Sequence, residues 1–115
     1  METDDRLTGL VLEMRRGVIV LCVLYELQQP MYGYHLVRQL TERGIPVEAN
    51  TLYPLLRRLE GQGLLESEWE TAGPKPRKYY VTTDAGCAVC SALKRHWDAI
   101  AEGVKTLWED TKHGT

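Results

Sequence analysis

Three patterns predict a mainly α-helical chain carrying one small β-hairpin. Leu52, Leu55, Leu56 and Leu59 fall at i, i+3, i+4 and i+7, the spacing of one buried helical stripe. Leu65, Ser67, Trp69 and Thr71 alternate with Glu66, Glu68 and Glu70, and Tyr79-Tyr80-Val81-Thr82 returns after a Gly/Pro-rich turn, as two strands would. Leu93, Trp97, Ile100, Val104 and Leu107 step by four, three, four and three, a heptad-like seam on a long last helix. A short helix ahead of the leucine-striped one completes a helix-turn-helix, and the hairpin behind it makes a wing. The predicted fold is a winged helix-turn-helix plus a long C-terminal helix.

Composition narrows the class. A chain of 115 residues forms one domain with a modest core. No apolar run is long enough to span a membrane and no signal-peptide pattern is present, so the expected location is cytoplasmic. Three cysteines, at 22, 87 and 90, argue against a disulfide framework. The net charge is −2, distributed as −3 over residues 1–14, +2 over 15–80 and −1 over 81–115. The positive charge is mild and local, so a nucleic acid would have to be held by a patch and not by a global field.

The elements follow in order. Residues 1–6 are polar and expected to fray. Leu7, Leu10, Val11 and Met14 make a short helical stripe that Gly9 and Gly17 weaken, so residues 1–14 read as a separate arm. The apolar run Val18–Leu27 is rich in β-branched residues, but its length and its continuity back to Arg15 favour a buried helix, ended by Gln28-Gln29-Pro30. Met31-Tyr32-Gly33-Tyr34 is expected to open the next helix, which buries Leu36, Val37 and Leu40 and stops at Arg43-Gly44. Pro46 makes Ile45-Pro46-Val47 an extended linker. Pro54 is tolerated only in a first turn, so the leucine-striped helix should begin at Asn50 or Thr51. Gly61-Gln62-Gly63 stops it, Lys75, Arg77 and Lys78 sit in the hairpin turn, and Thr83-Asp84 caps the last helix.

The polar side of the leucine-striped helix carries the chemistry. At about 100° per residue, Asn50, Pro54 and Arg57 point away from the buried stripe, and Tyr53 and Arg58 flank it on opposite sides. An amide, a phenol and two guanidiniums, with no carboxylate before Glu60, suit base edges and phosphates in a major groove. The plainer alternative is a solvated face on a core helix. Tyr32, Tyr34 and His35 lie in a first turn where a tyrosine either reaches a phosphate or packs on the core. The three cations of the wing would reach a backbone or a minor groove, or form an ordinary solvated loop. The seam at 93, 97, 100, 104 and 107 finds its partner in a second copy, in the first helix of its own chain, or in both.

Met14-Arg15-Arg16-Gly17, Met31-Tyr32-Gly33-Tyr34, Thr51-Leu52-Tyr53-Pro54-Leu55-Leu56-Arg57-Arg58-Leu59-Glu60, Gly63-Leu64-Leu65 and Pro76-Arg77-Lys78-Tyr79-Tyr80 closely resemble the PadR family of bacterial transcriptional regulators. The match runs from about residue 14 to 108, and the single C-terminal helix is similar to the short subfamily. The resemblance implies a homodimer held by the last helix, which represses transcription and is often released by a small molecule. It places operator contacts on Tyr34, Asn50, Thr51, Tyr53, Arg57, Lys75, Arg77 and Lys78. It also makes Trp97 the candidate for stacking a planar aromatic effector at the dimer interface. Residues 1–13 are additional to the family's core pattern; the expected organisation is an arm over 1–14, a DNA-binding unit over 15–82 and a dimerisation helix over 83–112.

Other classes find less support. Cys87-Ala88-Val89-Cys90 could be a redox pair, since a thiol in the first turn of a helix is acidified, or two small buried residues. A metal site lacks a second cysteine pair, and His35, His96 and His113 are scattered. No nucleophile–base–acid set, paired carboxylates or phosphate-cradling glycine loop is visible, so neither catalysis nor a cofactor is expected. The alternatives to a DNA-binding repressor are a winged-helix protein-interaction module and a thiol-based redox sensor using Cys87 and Cys90.

Overall fold

The structure is a computed structural model that describes residues 4–114, with the helical backbone alone over 111–114. Residues 1–3 of the expected polar start, and the side chain of His113, lie outside the described residues. The order is α1 (Asp5–Glu26), β1 (Met31–Tyr32), α2 (Gly33–Glu42), α3 (Ala49–Gly61), β2 (Leu65–Glu70), β3 (Arg77–Thr82) and α4 (Asp84–Gly114). The strands form one antiparallel sheet in the order β1-β3-β2.

α1 is one helix of 22 residues, capped by the Asp4 carboxylate accepting from the Arg6 N–H at 2.8 Å. The expected arm and the apolar run therefore lie on one continuous helix. Its second half buries Ile19, Val23 and Leu24, and a helix anchored there propagates cheaply through two glycines. Its first half leaves Leu7, Leu10, Leu12 and Met14 more than half exposed.

Met31 and Tyr32 do not open α2. They pair with Tyr80 and Tyr79 and cover the edge of β3, which would otherwise be an open row of backbone groups. α2 starts at Gly33 and buries Leu36 and Leu40. Both α2 and α3 end in a left-handed glycine. Gly44 (φ +82°) and Gly63 (φ +77°) each precede a residue whose N–H reaches back to the helix, Ile45 to Leu40 O at 2.9 Å and Leu64 to Leu59 O at 3.0 Å.

α3 begins at Ala49, not at Asn50 or Thr51, and Glu48 occupies the cap without a side-chain bond. The Glu48 carbonyl already accepts from the Thr51 and Leu52 N–H groups, at 3.0 and 2.9 Å. Pro54 is thus the sixth helical residue, and the bond it forfeits is to the carbonyl of Asn50, an exposed residue that water can satisfy. Leu52, Leu56 and Leu59 are buried as the stripe requires, and Leu55 is half-buried.

The hairpin register pairs Leu65 with Thr82 and Glu70 with Arg77. Its inner face holds buried Leu65, Tyr80 and Thr82. Thr82 fastens the hairpin to α1: its N–H donates to Leu27 O at 2.7 Å and its hydroxyl to Leu24 O at 2.8 Å. Thr83 caps α4 as expected, accepting from the Gly86 N–H at 3.0 Å while donating to Gly63 O at 2.7 Å. α4 packs on α1 through Val89, buried Cys90 and Leu93. Beyond Leu93 it leaves Trp97, Ile100, Val104, Leu107 and Trp108 exposed, Trp108 at 74 %.

Candidate nucleic-acid interface

The exposed side of α3 presents Asn50, Thr51, Pro54, Arg57 and Arg58. Among the described residues neither Arg57 nor Arg58 has an ion-pair partner. The first carboxylate of the helix, Glu60, is turned to the sheet, where it accepts from the Ser67 hydroxyl at 2.6 Å and lies 4.0 Å from Lys78 Nζ. Two guanidiniums therefore stand on this side of the helix without an ion-paired carboxylate among the described residues, although Glu48 at the cap borders the same groove as Arg58.

The flanks differ as the helical wheel predicts. Tyr53 is half-buried and its ring lies against Gly33; a Cβ at Gly33 would fall 2.6 Å from Tyr53 Oη and Cε1. Only glycine at the start of α2 permits that approach, so Tyr53 is a packing residue whatever its hydroxyl touches. The opposite flank, with Thr51 and Arg58, borders a groove of about 750 Å³ closed by Arg15, Arg16 and Ile19 of α1.

The wing differs from its expected form. β3 starts at Arg77, so Arg77 and Lys78 belong to a strand and point to opposite faces, while Lys75 is in the loop. The strand begins earlier than expected because Arg77 and Lys78 extend the ladder by pairing with Glu70 and Trp69. Lys75 is exposed and has no ion pair among the described residues. Lys78 lies on the inner face, near Glu60, with Nζ 5.5 Å from the Tyr80 ring centre and 5.8 Å from that of Trp69. Arg77 lies on the outer face, its guanidinium 4.3 Å from the Tyr32 ring centre. Its Nη1 donates to the Tyr34 hydroxyl at 3.4 Å and its Nη2 is 3.6 Å from Glu70.

Glu70 is the part of this cluster that the sequence did not single out, and its bond to Tyr32, itself a candidate from the sequence, is the unforeseen contact. Tyr32 stacks on Tyr34 at 6.0 Å and donates its hydroxyl to Glu70, a bond that raises the Tyr32 phenol above its ordinary range. Tyr79 donates to Glu68 at 2.7 Å and is raised for the same reason. The strict alternation of β2 placed the three glutamates on one face; the register that brings Tyr32 beside them depends on β1.

The seam residues separate into two environments. Leu93 is packed on the core, whereas Ile100, Val104 and Leu107 face solvent. Trp97 borders a cleft of about 530 Å³ between α1, α2 and α4, with Leu21, Cys22, Tyr25, Leu40 and Cys90. Glu26 and Arg43, paired at 3.4 Å, stand at its rim. Burial pushes the Cys22 and Cys90 thiols up, the reverse of the acidification that a reactive thiol needs. Cys90 shares the cleft with Cys22 of α1, and its Sγ lies 4.0 Å from Leu21 O. Among the described residues there is no cluster of three or more metal-ligating side chains, and no helix is long and apolar enough to cross a membrane.

Residues 20–92 match the family model described as the transcriptional regulator PadR-like family. A transcriptional regulator of Mycobacterium tuberculosis is 33 % identical over 93 residues, covering 80 % of this chain and 87 % of that protein. The crystal structure of a PadR family transcriptional regulator from Eggerthella lenta shares 55 % identity with a TM-score of 0.85, covering 92 % of this chain and 95 % of that one. A PadR-like transcriptional regulator from Bacillus cereus shares 32 % identity with a TM-score of 0.75, covering 84 % and 96 %.

Proposed function

This chain belongs to the PadR-like family of transcriptional regulators, and from that premise we propose that it is a sequence-specific DNA-binding repressor acting as a homodimer. One observation carries the reading: α3 exposes Asn50, Thr51, Arg57 and Arg58 with no carboxylate paired to either arginine among the described residues. Guanidiniums and an amide at the start of a surface helix are the groups that read base edges in a major groove. Tyr34 precedes that helix in the chain, Tyr53 lies on its flank, and Lys75 and Lys78 follow it in the wing; these supply the positioning contacts to phosphates, joined by Arg77 only to the extent that Glu70 releases it. We read residues 15–82 as the DNA-binding unit, 83–112 as the dimerisation helix, and Leu93, Trp97, Ile100, Val104 and Leu107 as its seam. Two-fold symmetry then sets two recognition helices on half-sites about one helical turn apart, on a pseudo-palindromic operator.

Release by a small molecule is the second part of the proposal, and the cleft bordered by Trp97 favours it. An indole at the edge of an apolar cavity offers a stacking surface to a planar aromatic compound. The site has to work in the cytoplasm alongside DNA, as befits a repressor. The reading is tested by gel shift on the DNA upstream of the protein's own gene, with random duplex as competitor. Arg57→Ala should weaken operator binding by about 1–3 kcal/mol and relax sequence preference at one position of each half-site. Unchanged operator affinity in that variant, with the fold intact, rejects α3 as the reading helix.

A further inference from the structure

Arg77 is the wing cation held on the outer face of the sheet. Its guanidinium lies over the Tyr32 ring at 4.3 Å, donates to Tyr34 and stands 3.6 Å from Glu70. Glu70 is in turn fixed by the Tyr32 hydroxyl, which donates to the same Oε1. A carboxylate oxygen therefore stands within ion-pair reach of the guanidinium, where it competes with a phosphate oxygen for the same charge. Lys75, in the loop beside it, has no such partner among the described residues.

We propose that Glu70 is a positioning residue that acts as an internal phosphate mimic. It holds Arg77 as a neutral pair against Tyr32 and so withholds one cation from the DNA backbone. The inference rests on the DNA-binding reading above. A pair with no net charge neutralises no phosphate and releases no counter-ion, so the wing grips duplex DNA less tightly than its sequence suggests. On the same face Glu68 is held by Tyr79 but pairs with no cation among the described residues, so it lacks the device. Glutamine at position 70 keeps an acceptor for the Tyr32 hydroxyl and removes the charge, which frees Arg77 without dismantling the cluster.

The experiment measures binding of the full chain to a random-sequence duplex between 50 and 200 mM salt. It compares wild type, E70Q, R77A and E70Q/R77A, with E68Q and E68Q/R77A as controls for loss of a nearby negative charge. E70Q should bind more tightly, with a salt slope steeper by about 0.9, the value of one neutralised phosphate. R77A should cost little in the wild-type background and about eightfold at 0.1 M salt in the E70Q background, which is that same counter-ion expressed as affinity. In the E68Q background the cost of R77A should stay as small as in wild type. Equal costs of R77A in the wild-type and E70Q backgrounds, or no gain in E70Q, overturns the proposal. Wild-type protein that binds no duplex even at the lowest salt removes the DNA-binding reading itself, an outcome seen before any variant is compared.

Discussion

Gly33→Ala is the most direct probe of how α2 is seated on α3. Gly33 does not have positive φ, so alanine meets no backbone penalty there. Helix propensity on its own would reward the change by up to about 1 kcal/mol. Space opposes it. The added Cβ falls 2.6 Å from Tyr53 Cε1 and Oη and 2.8 Å from Cζ. Restoring ordinary carbon contact at about 3.5 Å requires the ring to retreat by about 1 Å, and overpacking of this kind costs about 1–3 kcal/mol. The net expectation is a loss of about 1–2 kcal/mol, read as a lowered urea midpoint at unchanged m-value. The cause is isolated by a second background. In Tyr53→Ala the obstacle is gone, so adding Gly33→Ala should be neutral or stabilising by up to about 1 kcal/mol. Equal cost in both backgrounds, or a Gly33→Ala protein as stable as the parent, refutes the packing argument and means the ring swings freely aside.

The other predictions concern assembly, ligand and pH. Ile100→Asp puts a charge on both copies of the proposed seam and forgoes about 1.5–3 kcal/mol of burial on each side, so sedimentation should show the dimer weakened at least 100-fold. A parent protein that is a folded monomer at micromolar concentration rejects the seam. Planar aromatic compounds should quench tryptophan fluorescence in a saturable manner that Trp97→Ala abolishes; quenching that persists, reported by Trp69 or Trp108, places the stacking site elsewhere. Cys22, Cys90 and Tyr80 are all raised, chiefly by burial. A raised acid of this type contributes stability that is fully present below its unfolded value, about 8.5 for a thiol and 10 for a phenol, and is lost as pH rises through the folded value. The urea midpoint should therefore be flat near neutrality and fall above about pH 8.5, and Tyr80→Phe should blunt the decline above pH 10. A flat profile to pH 11 contradicts the assignment of burial as the cause.

What was legible in the sequence was whatever a single element decides for itself. The leucine stripe of α3, the glycine stops at Gly44 and Gly63, the Thr83 cap and the alternation of β2 all depend on neighbours within a few residues, and each is present. Elements fixed by distant partners were misread. Met31 and Tyr32 have no strand periodicity; they are extended because β3 has an open edge at Tyr79 and Tyr80. Arg77 and Lys78 looked like turn residues until Glu70 and Trp69 were found opposite them. The start of α3 was placed by the rule that proline belongs in the first turn, but an exposed carbonyl at Asn50 makes a later proline tolerable. The cation set of the candidate interface was therefore readable, while the partners that restrain two of its cations were not.

The bonds at the start of α4 bear on how a signal in the cleft beside Trp97 would reach α3. Thr82 is bonded to the end of α1 through both its N–H and its hydroxyl. Thr83 is bonded to the turn after α3, its N–H to Leu64 O at 3.0 Å and its hydroxyl to Gly63 O. Gly86 lies so close to the Leu64 carbonyl that a Cβ there would collide with it. The first turn of α4, the last turn of α1 and the α3–β2 turn thus form one cross-braced node, with no free residue between Thr82 and α4 to act as a hinge. Under the proposed reading, a change in the angle between two α4 helices cannot be absorbed at the junction and must turn the α3 helices with it. Trp97 lies about 20 Å along α4 from its start, at 1.5 Å per residue, so a tilt of a few degrees at the dimer is carried to the reading helices by rigid rotation. A ligand in the cleft would then release DNA only to the extent that it binds the DNA-incompetent spacing more tightly, because an effector shifts an equilibrium by its differential affinity and by nothing else.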